Sequence, residues 1–335
     1  MSKDAGGGRE MAQARDILDI VFRFRRLASP SGPCSAQPCE ECYEPHEGKV
    51  VSSIRSGQPV RFVVPAFPAK SPNPMKVLGP LPDRAERIAL EFLQSCCDEI
   101  GRHYPPGARV TICSDGHVFG GTVGVTDEEV SSYRREMAAI IDRCGFGSVG
   151  LYSLQDAFGG RSPGEMRDCL LRAYAEPLPS LRARMRSEMD LRRQFNGVHR
   201  FLLEDESVLR PQVSRNRLSE ECKTRAQQVI QGSNAWSKLI CERFPGAVRL
   251  SIHPQPSHAP KIGFHLVSTR DNWLTPWHGV ALEVSDGLVL AKRYQAEHIN
   301  ATLVRRDHRP SHFVAPHLRL AEVSAWQSWP SSTAA

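Results

Sequence analysis

Apolar residues first recur along the chain at helical spacing. Over residues 11–27, Ala14, Leu18 and Val21 fall on one face, and Arg23, Arg25 and Arg26 collect near the end, where positive charge suits the helix dipole. From about Ser29 to Gly48 the periodicity lapses into a stretch rich in Pro, Ser, Gly and Cys, which predicts a connector. The apolar run Val60-Arg61-Phe62-Val63-Val64 then predicts a strand. Pro82-Asp83 opens the next helix, with Ala85, Ile88, Ala89, Phe92, Cys96 and Ile100 on its inner face. Arg109–Ser114 reads as a strand ending at Asp115-Gly116. After a glycine-bearing loop, Thr126 and Glu129 have capping-box spacing, and Val130, Tyr133, Met137 and Ile140 mark the inside of the helix that follows. Ser148–Tyr152 is a further short strand, and residues 163–245 are helical and arginine-rich. The remainder turns strand-rich, over Ala247–Ile252, Ile262–Val267, Gly279–Val284 and Leu288–Lys292, with Asp286-Gly287 as a hairpin signal between the last two.

This order predicts an α/β fold: a Rossmann-like, largely parallel sheet flanked by helices, with a strand-rich C-terminal part. Three regions are expected: an N-terminal helix and Cys/Pro-rich connector over 1–48, the main α/β domain over 49–300, and a C-terminal extension over 301–335 whose tail after Trp329 frays.

Composition narrows the setting. The longest apolar run is too short to span a membrane, so no membrane partner is expected. The N-terminus lacks an apolar core before a small-residue cleavage site, and ten cysteines without such a signal suit reduced thiols in a cytoplasmic protein. A net charge of +6 is compatible with a phosphorylated ligand, with weak nucleic-acid affinity, or with neither. The arginine run at 182–195 is interspersed with Glu188 and Asp190 and reads as a solvated helix face, so no nucleic-acid partner is expected.

Five stretches carry candidate chemistry. In VPAFPAKSPNPMKVLG, Val64–Gly79, the prolines forbid regular structure and stiffen a loop at a strand end. Lys70, Ser71 and Lys76 there can bind an anion, or the stretch can be a polyproline-like surface linker. Asp115, at the end of another strand, can serve as a general base or hold an amine, or mark a simple Asp-Gly turn. In RLSIHPQPSHAPKIGFHL, residues 249–266, a hairpin would gather Arg249, His253, Lys261 and His265, or merely turn them to water. Trp273, Trp277 and His278 precede a strand and can wall a pocket or cap the core. Cys34, Cys39, Cys42 and His46 have spacings that can hold a tetrahedral Zn²⁺, although no second CxxC pair accompanies them.

Taken together, the blocks PAFPAKSPN-x-x-KVLG-x-LPD at 65–83, YPPGA at 104–108, SDGHVF at 114–119, RFLLED at 200–205, RLSIHPQ at 249–255 and TPWHG at 275–279 resemble the pyoverdine/dityrosine biosynthesis family. That resemblance implies an isocyanide synthase, which converts the α-amino group of an amino acid, tyrosine or tryptophan favoured, to an isonitrile. It further implies ribulose 5-phosphate as carbon donor, no cofactor, and a downstream biosynthetic enzyme. Imine formation, proton transfer and carbon–carbon cleavage would then be divided among the candidate residues. Lys70, Ser71, Lys76 and Arg249 would hold the phosphate, and Asp115 would orient or deprotonate the amine. His253 and His265 would move protons, Lys261 would polarise the carbonyl or form a transient Schiff base, and Trp277 and His278 would line the amino-acid pocket. The alternatives are an N-formyl amino-acid synthase and a non-catalytic basic binding protein.

Overall fold

The computed structural model describes residues 4–324 except 30, 33 and 270–273. Trp273 and the tail after Trp329 therefore lie outside the described residues. The first helix, α1 (Asp4–Phe22), buries Ala14, Ile17, Leu18 and Val21. It ends before the arginines, and Arg25 and Leu27 instead form isolated bridges to Phe264 and Gln255. The expected connector is partly helical: α2 (Glu40–Arg55) begins inside it and carries Pro45 within its length. The boundary placed at residue 48 thus falls within a helix. Glu40 and Glu41 in the first turn of α2 and Arg55 in its last complement the helix dipole, a charge pattern that the prolines and cysteines upstream obscure.

β1 (Val60–Pro65) is buried on both faces, as a central parallel strand must be. α3 (Arg84–His103) follows, opened by a capping box between Asp83 and Glu86. β2 (Ala108–Cys113) runs into the one-turn helix α4 (Gly116–Phe119). α5 (Asp127–Cys144) starts at the expected Thr126/Glu129 box and ends at Gly145, whose φ of 67° is the left-handed conformation glycine adopts at low cost. β3 (Val149–Tyr152) is followed by five helices: α6 (Leu154–Phe158), α7 (Pro163–Tyr174), α8 (Leu178–Ser187), α9 (Met189–Leu209) and α10 (Arg215–Arg243). β4 (Val248–Ser251) and β5 (Ile262–Gly263) complete a five-stranded parallel sheet in the order β3-β2-β1-β4-β5.

β4 and β5 are parallel, with Leu250 beside Ile262 and Ser251 beside Gly263. The expected hairpin at 249–266 is therefore corrected to a crossover. The segment Arg25–Ala28 supplies the reason: Gln255 donates its amide to the Arg26 carbonyl, and Arg26 and Ala28 donate theirs to Gly263 and Gln255. The N-terminal segment thereby occupies the edge positions that a hairpin partner would need. Gly263 permits the approach, because a Cβ there would stand 2.2 Å from the Arg26 carbonyl oxygen.

The C-terminal strands form a second, mixed sheet. β6 (Val280–Val284) and β7 (Gly287–Ala291) make the hairpin expected around Asp286-Gly287. After α11 (Arg293–His298), β8 (Thr302–Arg306) and β9 (Arg309–Ala315) return to the sheet, β9 lying parallel to β6, and α12 (Leu320–Ser324) closes the described chain. The segment expected as an extension beyond residue 300 shares an apolar core with the strands before it, including Leu282, Val289 and Phe313.

Candidate active site

In a parallel sheet of this order the chain reverses direction of travel between β1 and β4, and a crevice opens beyond the carboxyl ends of those strands. A cavity of about 590 Å³ occupies that position, large enough for a small organic substrate. Ala66, Pro68 and Ser71 reach it from the loop after β1, Asp115 and Phe119 from the end of β2, and Ile252 and His253 from the end of β4. Trp277 and His278 close one wall, while Phe201 and Asp205 on α9 and Val229 and Ser233 on α10 form the cover. Phe201 and Asp205 are four residues apart and so share a helix face.

The proline loop is held rigidly. Phe67 has a φ of 55°, and its buried ring packs 5.1 Å from that of Trp277. Lys70 is fully buried, with Nζ 2.9 Å from both Asp83 and Glu86 and donating to the Pro276 carbonyl at 3.0 Å. Burial alone would lower its pKa, but the two carboxylates outweigh it and raise it. Lys76 pairs with Asp205 at 2.6 Å and with Glu204 at 3.0 Å. Ser71 Oγ and Asn73 Nδ2 donate to the same Asp205 carboxylate at 3.2 and 3.0 Å. Both lysines are thus committed to carboxylates, whereas Ser71 stays on the cavity wall.

Asp115 lies under the cavity with Oδ1 buried and without a hydrogen-bond partner among the described residues. Burial pushes its pKa up to about 7. The close packing beneath it depends on Gly116, where a Cβ would lie 2.0 Å from the Pro68 carbonyl oxygen and 2.6 Å from Val130. Gly116→Ala is expected to displace both strand-end loops. Loss of soluble, cooperatively folding protein would check it, and wild-type stability would refute the contact. His117, in the same block, turns away to Asp127 and Ser131, each at 3.2 Å.

His253 faces the cavity, and its pKa is lowered by the surrounding protein and by the charges of Arg26 and Lys261. That shift favours the neutral imidazole. Arg26 joins it on the cavity wall, buried, with Nη1 donating to the Ile252 carbonyl at 2.5 Å. Burial lowers Arg26 to about 10. His278 is also held low, to about 4, by burial and by Lys76, and its Nδ1 is 3.2 Å from Thr275 Oγ1.

Asp115, His253, Trp277, His278 and Ser71 therefore converge; Lys70 also reaches the cavity wall but commits its Nζ to Asp83 and Glu86, and Lys76, Arg249, Lys261 and His265 lie outside the lining. His265 is buried beside Phe24, to whose carbonyl its backbone amide donates at 3.0 Å. Arg249 and Lys261 meet at Ser237 instead, with Nη2 2.7 Å and Nζ 3.2 Å from its Oγ. Cys34, Cys39 and Cys42 cluster near the surface, but His46 is buried against Phe22, and His258 stands beside the thiols in its place. Sequence reasoning missed Arg26, Arg193, Arg200, Phe201 and Asp205 as cavity residues. The RFLLED block contains the last three, and the four-residue spacing of Phe201 and Asp205 is the signal that puts them on one helix face.

A family model described as pyoverdine/dityrosine biosynthesis protein matches residues 50–304. The chain belongs to this family. An L-tryptophan isonitrile synthase of Fischerella ambigua is 44% identical over 89% of this chain and 93% of its own length. An L-tyrosine isonitrile synthase of Pseudomonas aeruginosa is 42% identical over 90% of this chain and 94% of its own. The crystal structure of the PvcA protein from Pseudomonas aeruginosa superposes with a TM-score of 0.86 at 39% identity, covering 91% of this chain and all of that one. The family member described here is an enzyme of the isonitrile synthase type. Among the described residues, no helix is long and apolar enough to cross a membrane.

Proposed function

We propose that this enzyme converts the α-amino group of an aromatic amino acid, tryptophan or tyrosine, to an isonitrile, with ribulose 5-phosphate donating the added carbon. The observation that carries the reading is Asp115, a carboxyl raised to about 7 with one oxygen unpartnered, facing a cavity at the strand ends. An ammonium group cannot attack a ketone until it loses a proton. A carboxylate with a free acceptor position and a pKa near neutrality suits that transfer. Asp115, protonated by that step, would return its proton as the carbinolamine loses water to form the imine, and the neutral imidazole of His253 would accept one before carbon–carbon cleavage releases the phosphate-bearing fragment.

With Lys70 and Lys76 committed to carboxylates, the anionic groups fall to arginine. Arg26, buried deep on the wall, would hold the amino-acid carboxylate, and Arg200 at the open edge the phosphate. Phe119, Phe201 and Trp277 would enclose the aromatic ring. The names of the relatives, which act on L-tryptophan and L-tyrosine, support that substrate class.

The test is incubation of purified protein with a full amino-acid panel and ribulose 5-phosphate, read by mass spectrometry. An isonitrile from tryptophan or tyrosine is expected, and the N-formyl product would be heavier by one water. No product from any amino acid would overturn the reading. Arg200→Ala is expected to raise the KM for the sugar phosphate about tenfold or more while leaving that for the amino acid nearly unchanged. The reverse pattern would move the phosphate elsewhere.

A further inference from the structure

Outside the cavity, three cysteines and one histidine distant in sequence bring their ligand atoms within 4.8 Å of one another. Cys34 Sγ is 3.5 Å from Cys39 Sγ, which is 3.8 Å from Cys42 Sγ. His258 Nε2 is 3.1 Å from Cys39 Sγ and 3.4 Å from Cys34 Sγ. Zn–S bonds of about 2.3 Å and Zn–N bonds of about 2.0 Å at tetrahedral angles require S···S edges of about 3.8 Å and S···N edges of about 3.5 Å. These four edges match that polyhedron to within a few tenths of an ångström, and the other two, from Cys42 Sγ to Cys34 Sγ and to His258, lie within 4.8 Å. We propose that Cys34, Cys39, Cys42 and His258 bind one Zn²⁺ as a closed structural site that ties the N-terminal segment to the β4–β5 crossover.

Two further features fit a built site. The other imidazole nitrogen of His258, Nδ1, is 3.1 Å from a carboxylate oxygen of Glu41. A carboxylate behind a ligating histidine fixes the tautomer and aims Nε2 at the metal. His258 also holds a φ of 64°, a left-handed conformation uncommon outside glycine, which a metal–ligand bond would help to hold. Three thiolates and one imidazole are a zinc donor set, and with all four positions filled by protein the ion is structural.

The site would act on the cavity at a distance. His253 lies five residues before His258 on the same crossover, and Arg26 precedes Cys34 on the same N-terminal segment. The metal would thus clamp together the two stretches that present these side chains, reinforcing the backbone bonds between Arg26 and Gln255.

The experiment is elemental analysis of protein purified without a metal-affinity tag or chelator, with thermal melts before and after chelation. About one zinc per chain is expected, with chelation lowering the melting temperature and added Zn²⁺ restoring it. Cobalt exchanged into the wild-type protein should give the visible bands of a tetrahedral thiolate site. Cys39→Ser and His258→Ala should lose zinc, whereas His46→Gln and Cys169→Ser should keep it. If Cys39→Ser fails to fold, the wild-type metal content and cobalt spectrum still decide. Sub-stoichiometric zinc with no cobalt spectrum, zinc retained in His258→Ala, or a Cys34–Cys39 disulfide in freshly prepared protein would each overturn the proposal.

Discussion

Asp115→Asn is expected to lower kcat/KM for the amino acid by about 10² to 10⁴, the range that a positioned proton-transfer group contributes. Wild-type kcat/KM should rise with pH through about 7 as Asp115 ionises, and that limb should vanish in the variant. Stability should move the other way. A carboxyl whose folded pKa lies above its unfolded value keeps a proton in the native state that the unfolded chain has lost, from about pH 4 to about pH 7. Stability therefore falls as pH rises across that window, when the native state must carry a buried charge. Asn carries none, so Asp115→Asn should melt higher than wild type at pH 8 and nearly the same at pH 4. Near-wild-type turnover, or a variant less stable at pH 8, would remove Asp115 from the role. An isosteric amide that sacrifices stability would mean that the unpartnered Oδ1 had found a donor.

Lys70→Ala is expected to destabilise the protein by about 3–5 kcal/mol, because it leaves Asp83 and Glu86 buried together without their cation. The loss should appear as a lower urea midpoint at unchanged slope. The KM for ribulose 5-phosphate in the remaining folded protein should change little, since Nζ is taken up by Asp83, Glu86 and the Pro276 carbonyl. A rise in that KM at wild-type stability would instead make Lys70 part of a phosphate clamp. The proline loop is then a bolt rather than a hand. It locks β1 to the start of α3 through Lys70 and to α9 through Lys76, and lines the cavity with Ala66, Pro68, Ala69 and Pro72 beside Ser71 and Lys70.

Elements whose signal is local were legible in the sequence. The apolar stripe of α3, the Thr126/Glu129 box of α5 and the Asp286-Gly287 turn each depend on neighbours within a few residues, so their spacing alone specified them. The order of strands and helices was enough for the parallel sheet, and that sheet implied a crevice where Asp115 and His253 now lie. Less local features were missed. The proline-rich stretch between β4 and β5 looked like a turn because the pairing partner that excludes a hairpin, Arg25–Ala28, lies more than two hundred residues earlier. β8 and β9 were read as an extension because β9 finds its place only beside β6.

What the sequence determined by itself was the family, the α/β architecture and which polar residues stand at strand ends. Only the tertiary structure decided what those residues touch. Lys70 and Arg249 look equally available in sequence, yet one is enclosed by two carboxylates and the other is turned to Ser237. His46 is four residues from Cys42 and points into the core, while His258 reaches the thiols from the far end of the chain. Covalent neighbours constrain backbone conformation, but burial, charge compensation and ligand geometry are set by whatever the fold brings within a few ångströms.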